Sequence, residues 1–410
     1  VLFSKMHIIL SSNGTPFHGA KGGYPSQLKH LIKMFVEEGH SVTMVMWSLC
    51  GVKHTRVLFY RDLVNHNILS DEIRDPHTQA LLDRPEVSLV LSPYDTFPTE
   101  IKIDEINRIV SETNASLIFF LQDIFLLERD PSKKINCPSY IWFPLHYDPI
   151  DEPTKDIISN KIDHIISLCP STSQRLQEQM NKESSLVPHI IGFNTPLGNE
   201  YTKERIKREF RLENKFVVGT IAGNYEESGR KSIDTTLLSF KEFYKKHKNS
   251  MLWIHAPLLN NIPIYHVYKM VRELSFPDGI VKITENTMDE VTLQKFYLSL
   301  DCYLCGSCSE GFGIPQLEAQ YLGVPVVTTQ FGAMDDYCWN GVSVPYAHRK
   351  YNHMQKAWWV QPSITGMTKG MELIFQGEYK DLSEETKVRI SETMSYEVVK
   401  KKLLAILEKK

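Results

Sequence analysis

The chain has no long apolar run, no excess of charge of either sign and no regular framework of cysteines. Over 410 residues the formal net charge is -3, which argues against a general nucleic-acid binder, because such proteins concentrate Lys and Arg. No apolar stretch approaches the length that spans a bilayer, and the run at residues 6–12 is too short for a signal peptide. A cytoplasmic location is therefore expected. Seven cysteines, an odd count at irregular spacing, argue against a secreted disulfide scaffold. Cys302, Cys305 and Cys308 form a C-x2-C-x2-C run of the kind that opens some iron–sulfur sites, but the fourth position is Phe312, which offers no ligand. Small buried thiols are the expected reading, with no metal. Internal repeats and low-complexity segments are also missing. What remains is an ordinary composition, 42% hydrophobic and 23% charged, in a chain long enough for two domains with a core each.

The most informative stretch is SEGFGIPQLEAQYLGVPVVTT, residues 309–329. Gly311 and Gly313 mark a turn where the backbone comes close to a neighbour or takes a positive φ. Pro315 suits the first turn of a helix, Gly323 suits its end, and the β-branched run after it suits a buried strand. Glu310 and Glu318 stand eight residues apart around the turn. Amides at Phe312, Gly313 and Ile314 open the helix and attract anions, while the flanking carboxylates accept hydrogen bonds from hydroxyls. Together they suit a phosphorylated sugar or a nucleotide sugar.

Upstream, the chain alternates strands and helices. A strand at 6–11, a glycine-containing loop with Gly22 and Gly23, an amphipathic helix closed by Gly39 and a strand at 40–47 make a βαβ unit, so a parallel sheet is expected. The loop lacks a G-x-G-x-x-G fingerprint. Asp123 ends a further strand, where α/β sheets place ligand contacts. His146 and Asp148 follow another strand and fall at the cleft edge of such a sheet. A domain boundary is expected near residue 195, in a segment containing Pro and Gly. The second half opens with a strand ending in a loop with Gly223 and Asn224. Arg230 and Lys231 then precede a helix, against its dipole, which makes sense if an anion such as a diphosphate lies between them. His255 ends the next strand, near the expected nucleotide.

The Glu-x7-Glu spacing, glycine turn, Pro315, Glu318-Ala319 and the Gly323–Val327 run resemble the donor-site signature of retaining glycosyltransferases of family 4. The resemblance implies the GT-B fold, an α/β architecture of two Rossmann-like domains with parallel sheets facing across a cleft. Residues 1–195 would form the acceptor-side domain and 196–390 the donor domain, with the helix at 391–410 crossing back to the first. It further implies that Glu310 contacts the donor sugar and Glu318 the ribose, that Gly22 and Gly23 pack near the donor phosphates, and that Thr284 lies by the base. His146 would lie near the reacting sugar. Where the family usually carries an arginine a few residues before the lysine, this chain has Glu226. The mannosyltransferase side of the family fits best, so GDP-mannose is the expected donor. A UDP-sugar, or a nucleotide-sugar-binding module without turnover, is the alternative. No Asp-x-Asp occurs in the chain, in agreement with metal-independent transfer without a cofactor. A glycan or other hydroxyl compound is the expected acceptor, and the lysines of the last helix leave room for weak peripheral membrane contact.

Overall fold

In a computed structural model, residues 5–12, 23–47, 57–58, 76–91, 100–224, 229–257, 263, 265–353 and 356–408 are described. Two sheets organise the chain. The first contains β1 (His7–Ser12), β2 (Ser41–Met46), β3 (Val57–Leu58), β4 (Val87–Leu91), β5 (Leu117–Leu121), β6 (Ser139–Phe143), β7 (His164–Ser167) and β8 (Ser185–Leu186), in the spatial order β3-β4-β2-β1-β5-β6-β7-β8. Every pair is parallel except the edge pair β3–β4. The second contains β9 (Phe216–Ile221), β10 (Ser250–His255), β11 (Val281–Thr284), β12 (Cys302–Leu304), β13 (Val326–Thr329) and β14 (Gly341–Val344), all parallel, in the order β11-β10-β9-β12-β13-β14. A separate antiparallel pair, β15 (His348–Asn352) and β16 (Ala357–Gln361), comes next in the chain.

Strands such as LIFFL in β5 are buried along their whole length, as expected where helices cover both faces of a parallel sheet. The helix Gly23–Glu37 buries Leu28, Leu31, Ile32 and Phe35, one face at helical spacing, and Gly39 with φ 81° turns the chain into β2. Both sheets reverse their winding once, the first between β1 and β5 and the second between β9 and β12. At such a switch point the loops at the carboxyl ends of adjacent strands part in opposite directions and leave a crevice. The second crevice is therefore lined by the loops that leave β9 after Ile221 and β12 after Leu304.

The two halves share packing. Phe312, Leu317 and Tyr337 enter the core cluster that holds Leu28, Phe119 and Trp142 of the first sheet and its helix. The C-terminal helix Tyr396–Glu408 adds Val399, Leu403 and Leu407 to that cluster, while Lys400 pairs with Glu37 and Glu38 at 3.0 and 2.8 Å. The three clustered cysteines diverge: Cys302, Cys305 and Cys308 are buried in three different core clusters. Extended backbone sends neighbouring side chains to opposite faces. The close sequence spacing therefore does not bring the thiols together. Among the described residues no helix is long and apolar enough to cross a membrane.

Candidate functional site

The segment after β12 and the helix Ile233–Lys246 meet at Glu310. Arg230 donates to one oxygen of the Glu310 carboxylate at 2.7 Å; Lys231 donates to the other at 2.7 Å, joined there by the Ser307 hydroxyl at 2.6 Å. Arg230 also donates to the Ser309 carbonyl at 2.8 Å. An anion does lie between the two cations, and it is the protein's own carboxylate. Burial works against the charge of Glu310, whose side chain is 11% exposed, but Arg230 and Lys231 outweigh it and hold the carboxyl well below the usual range. A small pocket opens here, lined by Thr220, Ala222, Lys231, Ser307, Glu310 and Gly313 among others. Two cations, a hydroxyl and a helix start thus converge on one small pocket, and groups of these kinds bind phosphate oxygens.

The two glycines of the turn meet two different needs. Gly313 has φ 90°, which strains any L side chain, and it caps the helix Ile314–Tyr321. A Cβ on Gly311 would stand 3.0 Å from the Cβ of Pro144 and 3.2 Å from its backbone. That close approach brings the loop carrying His146 onto the turn carrying Glu310. Ser309 donates its hydroxyl to the His146 carbonyl, completing the junction. His146 is largely buried, its ring 6.2 Å from that of Trp359 and its Nδ1 3.3 Å from the Pro144 carbonyl. Gly23 belongs to the same junction, since a Cβ there would stand 2.9 Å from the Cδ1 of Ile314. Gly22 and Glu226 lie outside the described residues.

Glu318, on the helix that starts at the turn, accepts a hydrogen bond from the Tyr297 hydroxyl at 2.7 Å. Burial raises its carboxyl to about 7, and Glu290 adds to the rise while the Tyr297 bond opposes it. Glu310 and Glu318 are thus shifted in opposite directions, because only one has cations beside it. Phe312 has its side chain in the shared core, 5.0 Å from the rings of both His189 and Tyr337, so only its backbone faces the turn. Between the rings of Phe312 and Trp142, burial lowers His189 to about 3 and keeps it neutral.

The remaining candidates lie at the ends of β9, β10 and β11. His255 and Thr284 are register partners, joined by His255 Nδ1 at 3.0 Å from the Thr284 hydroxyl and 3.2 Å from its carbonyl. The Trp253 indole N–H donates to the same hydroxyl at 3.1 Å. Gly223 lies in the loop after β9, and next to it Asn224 is a loop clamp. Its amide donates to the Tyr265 carbonyl at 2.8 Å and accepts from the Tyr265 N–H at 2.7 Å. Sequence reasoning missed Ser307 and Tyr297, which hold the two glutamates. A serine in a strand-end loop and a tyrosine on a helix give no local signal, and both become visible only through the fold.

Three comparisons bear on this arrangement. Residues 270–384, which include the turn, Glu310 and Glu318, match the family model described as glycosyl transferases group 1. No curated protein sequence matches the chain. Among solved structures, the chain is similar to sucrose-phosphate synthase from Thermosynechococcus elongatus, with a TM-score of 0.71 at 14% identity over 98% of each chain. It is also similar to HepE from Anabaena, solved with UDP and glucose (TM-score 0.65, 11% identity, 98% of this chain and 99% of that one). A third is the pneumococcal O-GlcNAc transferase GtfA, solved with UDP and GlcNAc (TM-score 0.61, 12% identity, 98% and 99%). With two Rossmann-like α/β domains built on parallel sheets and these neighbours, the chain has the GT-B fold.

Proposed function

We propose that the protein is a retaining, metal-independent hexosyltransferase that moves a sugar from a nucleotide diphosphate donor to a hydroxyl of a glycan or similar acceptor. The observation that carries the reading is the convergence of Arg230, Lys231 and Ser307 on Glu310 at the switch point of the second sheet. In this reading the donor diphosphate takes up the two cations and the amides of the turn, and Glu310 turns to the sugar. The bond between the anomeric carbon and the diphosphate oxygen breaks, and the acceptor oxygen bonds to that carbon on the face the diphosphate leaves. The acceptor proton passes to a phosphate oxygen of the leaving group, so no protein nucleophile takes part. Arg230 and Lys231 stabilise the charge that builds on the diphosphate, an effect worth roughly 10²–10³-fold in rate per group. Glu318 accepts from the ribose hydroxyls, and His146 lies by the reacting sugar on the opposite wall.

GDP-mannose is the donor favoured by the resemblance of the Arg-Lys pair and the turn to mannosyltransferases. A UDP-sugar is the second reading, favoured by the UDP bound in the Anabaena and pneumococcal neighbours. The test is donor turnover in excess EDTA with GDP-mannose and UDP-glucose, with the anomeric configuration of the product followed by NMR. Lys231→Ala and Glu310→Ala are each expected to lower kcat by roughly 10²–10³-fold. Wild-type turnover in both variants sinks the site assignment, and an inverted product sinks the mechanism.

A further inference from the structure

We propose that the antiparallel pair β15–β16 is an acceptor platform, whose exposed rings Tyr351 and Trp358, rimmed by lysines, hold an acidic oligosaccharide. The inference rests on the transferase reading above and adds the element and the chemistry that recognise the second substrate. Tyr351 lies directly opposite Trp358 in the register, their ring centroids 5.2 Å apart at 66°. They are 38% and 41% exposed, whereas Ala357, Trp359 and Asn352 on the other face are buried. The hairpin is thus anchored by one face while the other leaves its largest rings in water. Tyr346, just before β15, is 40% exposed as well. Aromatic surface left open in this way has no part in folding and marks a contact site.

The platform is fastened to both walls of the candidate site. The Trp358 carbonyl accepts from the Asp148 N–H at 3.2 Å, two residues beyond His146. On the other wall, the Val360 N–H donates to the Cys308 carbonyl at 3.3 Å, and the Cys308 N–H donates to the Arg230 carbonyl at 2.7 Å. A ligand lying on the rings therefore ends beside the crevice that holds Glu310. Residues 346–358 contain His348, Arg349, Lys350, His353 and Lys356 and no Asp or Glu. Arg349 is held by Asp148, so the lysines are the cations offered to a ligand. Lys350 stands opposite Trp359, on the face toward the site, where its charge reaches the Cys308 thiol. The C–H faces of sugar rings pack on aromatic rings, and carboxylate, sulfate or phosphate substituents answer the ammonium groups.

An array of uronate-containing, sulfated and neutral oligosaccharides, with calorimetry on the retained compounds, tests the inference. The expected result is retention of acidic oligosaccharides over neutral ones of equal length. Affinity should fall about tenfold or more in the Tyr351→Ala/Trp358→Ala double variant, with Trp358→Phe retaining most of it. Nucleotide affinity and the melting temperature of the double variant, measured alongside, should match wild type. Failure to retain any acidic saccharide by a protein that binds nucleotide overturns the platform and leaves the donor site standing, as does equal retention by the double variant. Sedimentation with phosphatidylcholine vesicles only when they contain phosphatidylglycerol, lost in the double variant without any saccharide binding, reassigns the surface to a membrane and overturns it too. Absence of nucleotide binding by wild type overturns the parent reading instead, and the platform with it.

Discussion

Replacing Glu310 with Ala separates its two roles, as internal counter-charge and as part of the donor site. Without the carboxylate, Arg230 and Lys231 keep their charges in a pocket where they are 17% and 19% exposed. Breaking a fully buried pair costs about 3–5 kcal/mol; with this much solvent access the loss should be about 1–3 kcal/mol. Because the folded carboxyl is held below its ordinary value, its contribution is fully present above the unfolded value of about 4.3 and fades as pH falls further. The stability gap between wild type and Glu310→Ala should thus be constant from about pH 6 to 8 and shrink below about pH 4. A nucleoside diphosphate restores the missing negative charge. At 100 times its Kd it contributes about 2.7 kcal/mol, enough to offset most of the loss. Thermal melts of both proteins with and without GDP or UDP should show a larger ligand-induced rise in Glu310→Ala, although its turnover is lost. Equal stability without ligand refutes the counter-charge role. Loss of nucleotide binding in Glu310→Ala but not in Lys231→Ala refutes the placement of the diphosphate.

Other expectations concern the neighbouring residues. The Glu318 carboxyl is raised by burial to about 7, so its stabilising effect is full below the unfolded value and is lost as pH rises through 7. Glu318→Gln should gain on wild type between about pH 5 and 8 by roughly 1–3 kcal/mol in denaturant titrations; a gap that does not change with pH contradicts the assignment. Gly313→Ala places a Cβ at φ 90° and should cost about 1–2 kcal/mol of stability, read in the same titrations. Cys302, Cys305 and Cys308 are buried and their thiols are raised by that burial, so a thiol reagent should modify them only after unfolding. Rapid labelling of any of the three in the native protein contradicts their place in the core.

The parts of the fold and site that depend on local pattern were legible in the sequence. The alternation of strands and amphipathic helices predicts parallel sheets, and the glycines, Pro315 and Gly323 define the turn and helix after β12. The turn needs Gly311 for close approach and Gly313 for a positive φ, two distinct constraints behind one motif. The Arg230–Lys231 pair pointed to an anion, but the carboxylate that lies between them, Glu310, is 79 residues from Lys231, beyond any local pattern. The same limit hid Tyr297 and Ser307. Asn224 is expected at the ligand because it follows a strand end, and its amide bonds the Tyr265 backbone, a partner 41 residues away that no local pattern shows. Gly22 and Glu226 belong to segments outside the described residues, so the glycine loop after β1 and the departure from the family arginine stay as expectations.

In the proposed function, the crevice at the β9–β12 switch holds a nucleoside diphosphate without a metal. The most direct test is calorimetric titration of wild type and Lys231→Ala with GDP-mannose, UDP-glucose, GDP and UDP in excess EDTA. Wild type should bind one nucleotide class, both as the sugar conjugate and as the free diphosphate, and Lys231→Ala should weaken both by about tenfold or more. Binding by none of the four, or equal binding by the variant, contradicts it.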